Sequence, residues 1–109
     1  MREDSSIYNG ISQILLNVAP IEAKKVIMKA KFLSNDQRCH YEYDYINDLN
    51  ERNWFTTPRY VNLGILSYLI KLRQFHLDNN LTNGKTIWTG CELMIDLDKN
   101  RVNINFMYD

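Results

Sequence analysis

Glycine is scarce, with four in 109 residues. A glycine-rich cradle for a phosphate or dinucleotide has little to be built from, and no P-loop, G-x-G-x-x-G or G-x-S-x-G string occurs. Cysteine is limited to Cys39 and Cys91. Each falls on the apolar side of an alternating stretch, which is the pattern of two buried thiols rather than a disulfide or a paired C-x-x-C metal site. No run approaches the roughly 18 apolar residues of a membrane span, and Met1 to Ser6 carries no apolar core like that of a signal peptide. The expectation is a cytoplasmic protein without a membrane partner. Net charge is absent too, because thirteen basic residues balance thirteen acidic ones. A broad positive field is what phosphate backbones require, so nucleic acid is not the expected partner.

What is present is a pattern. With 45% hydrophobic residues the chain can bury one core without disulfides or metal, and a single domain over 1–109 is expected. Ile7, Ile11, Ile14, Leu15 and Val18 recur at helical spacing after Asp4-Ser5-Ser6, and Pro20 ends the run, so a helix is predicted over 5–18. Val26, Met28, Ala30 and Phe32 alternate with lysines, and Cys39, Tyr41, Tyr43 and Tyr45 alternate with His40, Glu42 and Asp44. These are two half-buried strands joined through Ser34-Asn35-Asp36-Gln37. Keeping both apolar sets on one face requires Phe32 opposite Cys39 and Lys29 opposite Glu42. Residues 46–59 have no clean period and read as a loop, with a short extended piece at Trp54. Val61, Ile65, Leu69, Leu72 and Phe75 mark a second helix from Tyr60 to His76, ended by Asn79-Asn80 and a loop at Asn83-Gly84. A second hairpin follows, with its turn at Lys99-Asn100, Leu97 opposite Val102, and Ile95, Leu97, Val102, Ile104 and Phe106 expected to be buried. The fold class is α+β: a four-stranded antiparallel sheet of two hairpins, with two helices packed on one face.

Candidate chemistry is thin. His40, Glu42 and Asp44 point from one face of one strand, a spacing that fits a polar sheet face better than three metal ligands. His40 and His76 are the only histidines, and nothing in the spacing brings them together; His76 in a last helical turn has a structural explanation. Tyr41, Tyr43 and Tyr45 could form a base-stacking platform, but they share the face the helices should cover and lack a basic surround. Charge is uneven: from 36 to 51, Asp36, Glu42, Asp44, Asp48 and Glu51 stand against Arg38 alone. That run is either an ordinary solvated surface or a patch for a basic partner. The outer sheet face mixes Ile27, Trp88, Met94 and Met107 with Lys29, Glu42, Glu92, Asp96, Asn103 and Asn105, a composition that suits a protein interface.

The order of these pieces carries a resemblance. An amphipathic first helix ends at Ala19-Pro20, a strand runs from Val26 to Phe32, and Tyr41-Glu42-Tyr43 precedes a long helix. Trp88-Thr89 follows, and then the run from Asp98 to Asp109 with Phe106-Met107-Tyr108-Asp109 at its end. This resembles the YezG-like family of bacterial immunity proteins, antitoxins made beside a secreted polymorphic toxin. The likeness runs from about Ile7 to Asp109 and is clearest at Trp88-Thr89 and Phe106 to Asp109. It implies a non-enzymatic protein, with no cofactor and no catalytic residue, that binds and neutralises a cognate toxin domain, frequently a nuclease. Such inhibitors are expected to be clearly acidic, whereas this chain is neutral, so the acidic run would have to stand in for a global field. The candidate partner-binding residues are Glu42, Asp44, Asp48 and Glu51 in or near that run, with Glu92, Met94 and Met107 on the outer face. Two other classes stay open, a small hydrolase using His40 or His76 and a generic adaptor. A toxin gene immediately upstream separates them, while the oligomeric state stays open.

Overall fold

The computed structural model describes residues 4–33, 38–82 and 86–108. The elements follow as α1 (Ser5–Val18), β1 (Lys25–Phe32), β2 (Cys39–Ile46), β3 (Arg52–Trp54), α2 (Arg59–Asp78), β4 (Gly90–Asp96) and β5 (Arg101–Met107). The fold is α+β. Its antiparallel sheet has five strands, not the four expected, in the order β3-β2-β1-β4-β5. The additional strand is the short piece at Trp54: Arg52, Asn53 and Trp54 pair with Ile46, Tyr45 and Asp44. All three of its residues are exposed. A strand of that length at an edge buries nothing in alternation, so it leaves no period to read.

Local chemistry sets the turns. Between β2 and β3, the Asn47 side-chain oxygen accepts N–H bonds from Leu49 and Glu51, and Asn50 takes φ 63°. This is the Asx geometry that short amides supply without a glycine. The end of α2 uses the same residue type, since the Asn79 amide donates to the Phe75 carbonyl and Asn80 sits at φ 55°. The expected turn at Ser34-Asn35-Asp36-Gln37 and the loop at Asn83-Gly84 lie outside the described residues.

The register of β1 against β2 matches the apolar pattern, with Phe32 opposite Cys39 and Lys29 opposite Glu42. The last hairpin differs. Ile95 stands opposite Val102 and Asp96 opposite Arg101, two positions from the expected pairing. A shift of two leaves every side chain on its expected face, which is why the apolar pattern does not detect it. The turn is Leu97 to Asn100, held by the Asp96 carboxylate accepting the Lys99 N–H and by Asn100 at φ 50°. Leu97 therefore sits in the turn, 38% exposed, and Val102 on the outermost strand is 39% exposed. Ile95 is buried as expected, while Ile104 and Phe106 are half-buried.

Both helices cover one sheet face. Ile11 and Leu15 of α1 and Val61, Ile65, Leu69 and Leu72 of α2 meet Val26, Met28, Cys91 and Leu93, all with no exposed surface. Each large aliphatic side chain buried this way contributes about 1.5–3 kcal/mol. The helices also approach each other closely: a Cβ at Gly10 would meet the Tyr68 ring, and one at Gly64 would meet Ile14. Glycine is required more strictly at Gly90, where a Cβ would stand 2.7 Å from the Ala30 carbonyl oxygen.

Candidate functional site

The two histidines are far apart in role. His40 is exposed on β2, on the sheet face away from the helices. His76 is buried under the other face, where its Nδ1 accepts the Trp88 indole N–H at 3.0 Å and its ring lies 5.0 Å from Phe106 and 6.1 Å from Trp88. An indole nitrogen only donates, so Nδ1 carries no proton and the ring is the neutral Nε2–H tautomer. His76 is thus a core acceptor, not a surface cation at a helix end, and the sheet separates it from His40. Trp88 likewise corrects an expectation. It is 1% exposed and packed at tilted and edge-on angles among Phe32, Phe106 and His76, not on the outer face. It precedes the first residue of β4, so the two-residue alternation does not extend back to it.

The cysteines offer no nucleophile. Burial raises the Cys39 thiol and pushes Cys91 up to about 12, so both are protonated at neutral pH. They sit on β2 and β4 with β1 between, opposite Phe32 and Ala30, so two strand spacings of about 4.8 Å and a two-residue offset separate them, beyond disulfide reach. Burial also raises the Tyr41 and Tyr43 hydroxyls, and Tyr43 hydrogen-bonds Asn62 of α2. The tyrosines pack beneath the helices, with Tyr41 and Tyr43 stacked at 6.1 Å. Among the described residues, no three His, Cys, Asp or Glu side chains are close enough to hold one metal ion. No helix among them is long and apolar enough to cross a membrane.

The helix-free face gathers most of the candidate residues. Cross-strand register places Glu42, Asp44, Glu92, Met94 and Met107 on it together. One row reads Trp54, Asp44, Ile27, Met94 and Asn103 across all five strands; the next reads Glu42, Lys29, Glu92 and Asn105. Lys29 thus lies between two carboxylates. Trp54 is 75% exposed at the sheet edge, and Ile27, although it points away from the helices, is only 4% exposed. The β2–β3 turn adds Leu49, 78% exposed. Trp54 and Leu49 were not expected to matter; their one signal in the sequence is that they are large apolar residues in a mostly polar, aperiodic stretch. The chain matches no protein-family model and no curated protein.

The acidic run is less free than its sequence implies. The Asp44 carboxylate accepts from Arg52 at 2.7 Å and 2.8 Å, and Asp48 lies 3.4 Å from the Lys24 ammonium. Glu51 accepts from the Asn47 amide. Asp48 and Glu51 sit in the β2–β3 turn beside the face rather than on it, and Asp36 is outside the described residues. What the arrangement offers is a face with exposed Trp54 at one end and partly exposed Met94 and Met107 further along, among carboxylates of which Glu42 and Glu51 are exposed.

Proposed function

We propose that the protein is a cytoplasmic immunity protein, a non-enzymatic binder that neutralises a cognate toxin domain of the nuclease class named by the resemblance, by covering its active site or substrate surface. The observation that carries the reading is the helix-free sheet face, with Trp54, Ile27 and Met94 in one row and Glu42, Asp44 and Glu92 around them. An exposed tryptophan and partly exposed methionines on one face are residue types that interfaces favour, where a few large side chains carry most of the binding energy. The carboxylates around it suit a surface built to hold phosphates, and they act chiefly on the association rate. Because Asp44 and Asp48 already have cationic neighbours, and Glu42 and Glu92 share Lys29 between them, the steering charge rests mainly on Glu51 and on the excess of carboxylates over Lys29. No cofactor enters this reading.

Coexpression with the C-terminal domain of a toxin encoded immediately upstream tests it. The expected result is a copurifying complex and survival of cells that otherwise die of the toxin domain. Failure of the two chains to associate, with both folded, contradicts the proposal.

A further inference from the structure

The two edges of the sheet are treated differently. At one edge β3 has three residues, is followed by Thr56-Thr57-Pro58, and carries the Arg52–Asp44 ion pair. Shortness, charge and a nearby proline are how sheets are kept from pairing with other chains. At the other edge β5 runs seven residues, Arg101 to Met107, with no proline and no charge after Arg101, and its pairing with β4 proceeds without a bulge. A long edge of that composition is a template for another strand.

The backbone polarity of that edge follows from the ladder. The Leu97 N–H just past β4 bonds to the Lys24 carbonyl just before β1, so in this register the odd-numbered residues of β4 face β1 and the even-numbered ones face β5. Gly90, Glu92, Met94 and Asp96 then bond Met107, Asn105, Asn103 and Arg101. The N–H and C=O groups of Val102, Ile104 and Phe106 consequently point outward, and no hydrogen bond from another described residue reaches them. Their side chains lie on the core face and remain partly exposed there.

We infer that β5 pairs antiparallel with β5 of a second copy of this chain, about a two-fold axis at Ile104, to form one continuous ten-stranded sheet. The occupant is a second copy because the edge is complementary to itself. With Ile104 opposite its own copy, Val102 meets Phe106 of the second chain and Asn103 meets Asn105. Those outward-facing backbone groups form about six bonds, two for each directly hydrogen-bonded pair. Arg101 falls opposite an uncharged Met107, so no like charges meet. Each copy's half-buried Ile104 and Phe106 are covered by the other, and the contact is isologous and closed, which ends assembly at two. The inference stands independently of the immunity reading.

Sedimentation equilibrium of the full chain at about 100 μM, above the micromolar range expected of a modest interface, should give twice the 13.0 kDa chain mass. Amide exchange should protect Val102, Ile104 and Phe106 at that concentration and lose the protection on dilution. Two variants then test the register, both at positions exposed in the single chain. The N103K/N105K pair sets like charges opposite each other twice and should weaken the dimer about tenfold. N103K/N105E sets opposite charges there and should restore it. A wild-type monomer at 100 μM, species heavier than a dimer, amides whose protection ignores concentration, or an N103K/N105E protein no more dimeric than N103K/N105K would each overturn the inference.

Discussion

Replacing His76 by alanine separates a structural histidine from a catalytic one. The substitution withdraws the acceptor of a fully enclosed indole N–H, since Trp88 is 1% exposed and donates to Nδ1 at 3.0 Å. A buried donor deprived of its acceptor costs about 1–3 kcal/mol. Loss of the ring contacts to Phe106 at 5.0 Å and Trp88 at 6.1 Å adds about 0.5–1.5 kcal/mol for each pair, before any cavity is counted. His76→Ala should therefore lower the unfolding free energy by about 3–5 kcal/mol, a large share of a small domain's stability. Trp88→Phe removes the donor instead. In the double variant no indole is left without an acceptor, so its cost should fall short of the sum of the singles by at least about 1 kcal/mol. Urea denaturation followed by circular dichroism measures all four proteins, with equal slopes as the check that the unfolded state is unchanged. Additivity within about 0.5 kcal/mol, or a His76→Ala cost below about 1 kcal/mol, would refute the reasoning. His40→Ala, at an exposed position, should leave both stability and any protective activity intact.

Three further outcomes are expected. Gly90→Ala should destabilise by about 1–3 kcal/mol in the same assay, because its Cβ would stand 2.7 Å from a backbone oxygen that side-chain motion cannot relieve. Alkaline stability should report Cys91: its thiol rises from an ordinary 9.0 to about 12 in the fold, so the unfolded chain releases its proton first. The contribution is intact below pH 9 and is lost between pH 9 and 12 at about 1.4 kcal/mol per pH unit. Cys91→Ala should make the decline shallower by that amount, although the raised Tyr41 and Tyr43 still contribute. Reversal of Asp48 and Glu51 to lysine should leave the protein folded and slow its association with the toxin domain at low salt, as stopped-flow measurement would register.

The parts of the fold that bury a repeating face were legible in the sequence. Helix α2 was visible from Val61, Ile65, Leu69 and Leu72, and the β1–β2 register followed from two alternating runs that had to share one face. Features that bury nothing, or that a shift of two leaves unchanged, were not legible. β3, an exposed edge of three residues, showed only as a short extended piece at Trp54 and not as a paired strand, and the β4–β5 register was misplaced because its apolar face is satisfied by both pairings. Trp88 was assigned to the wrong face because alternation was carried past the start of β4. Within the candidate site, the placement of Glu42, Asp44, Glu92, Met94 and Met107 on one face followed from strand parity alone. The ion pairs that hold Asp44 and Asp48 depend on Arg52 and Lys24 being brought alongside, and only the folded chain does that.

The central claim is that the helix-free sheet face, with Trp54 at its end, is the binding surface. Titration calorimetry of the toxin domain against wild type and Trp54→Ala tests it most directly, with Leu63→Ala, exposed on α2, as the control on the opposite side of the molecule. Truncating an interface tryptophan costs about 2 kcal/mol or more, so Trp54→Ala should weaken binding at least about thirtyfold while Leu63→Ala leaves it unchanged. Equal affinities for wild type and Trp54→Ala, or a loss confined to Leu63→Ala, would contradict the account.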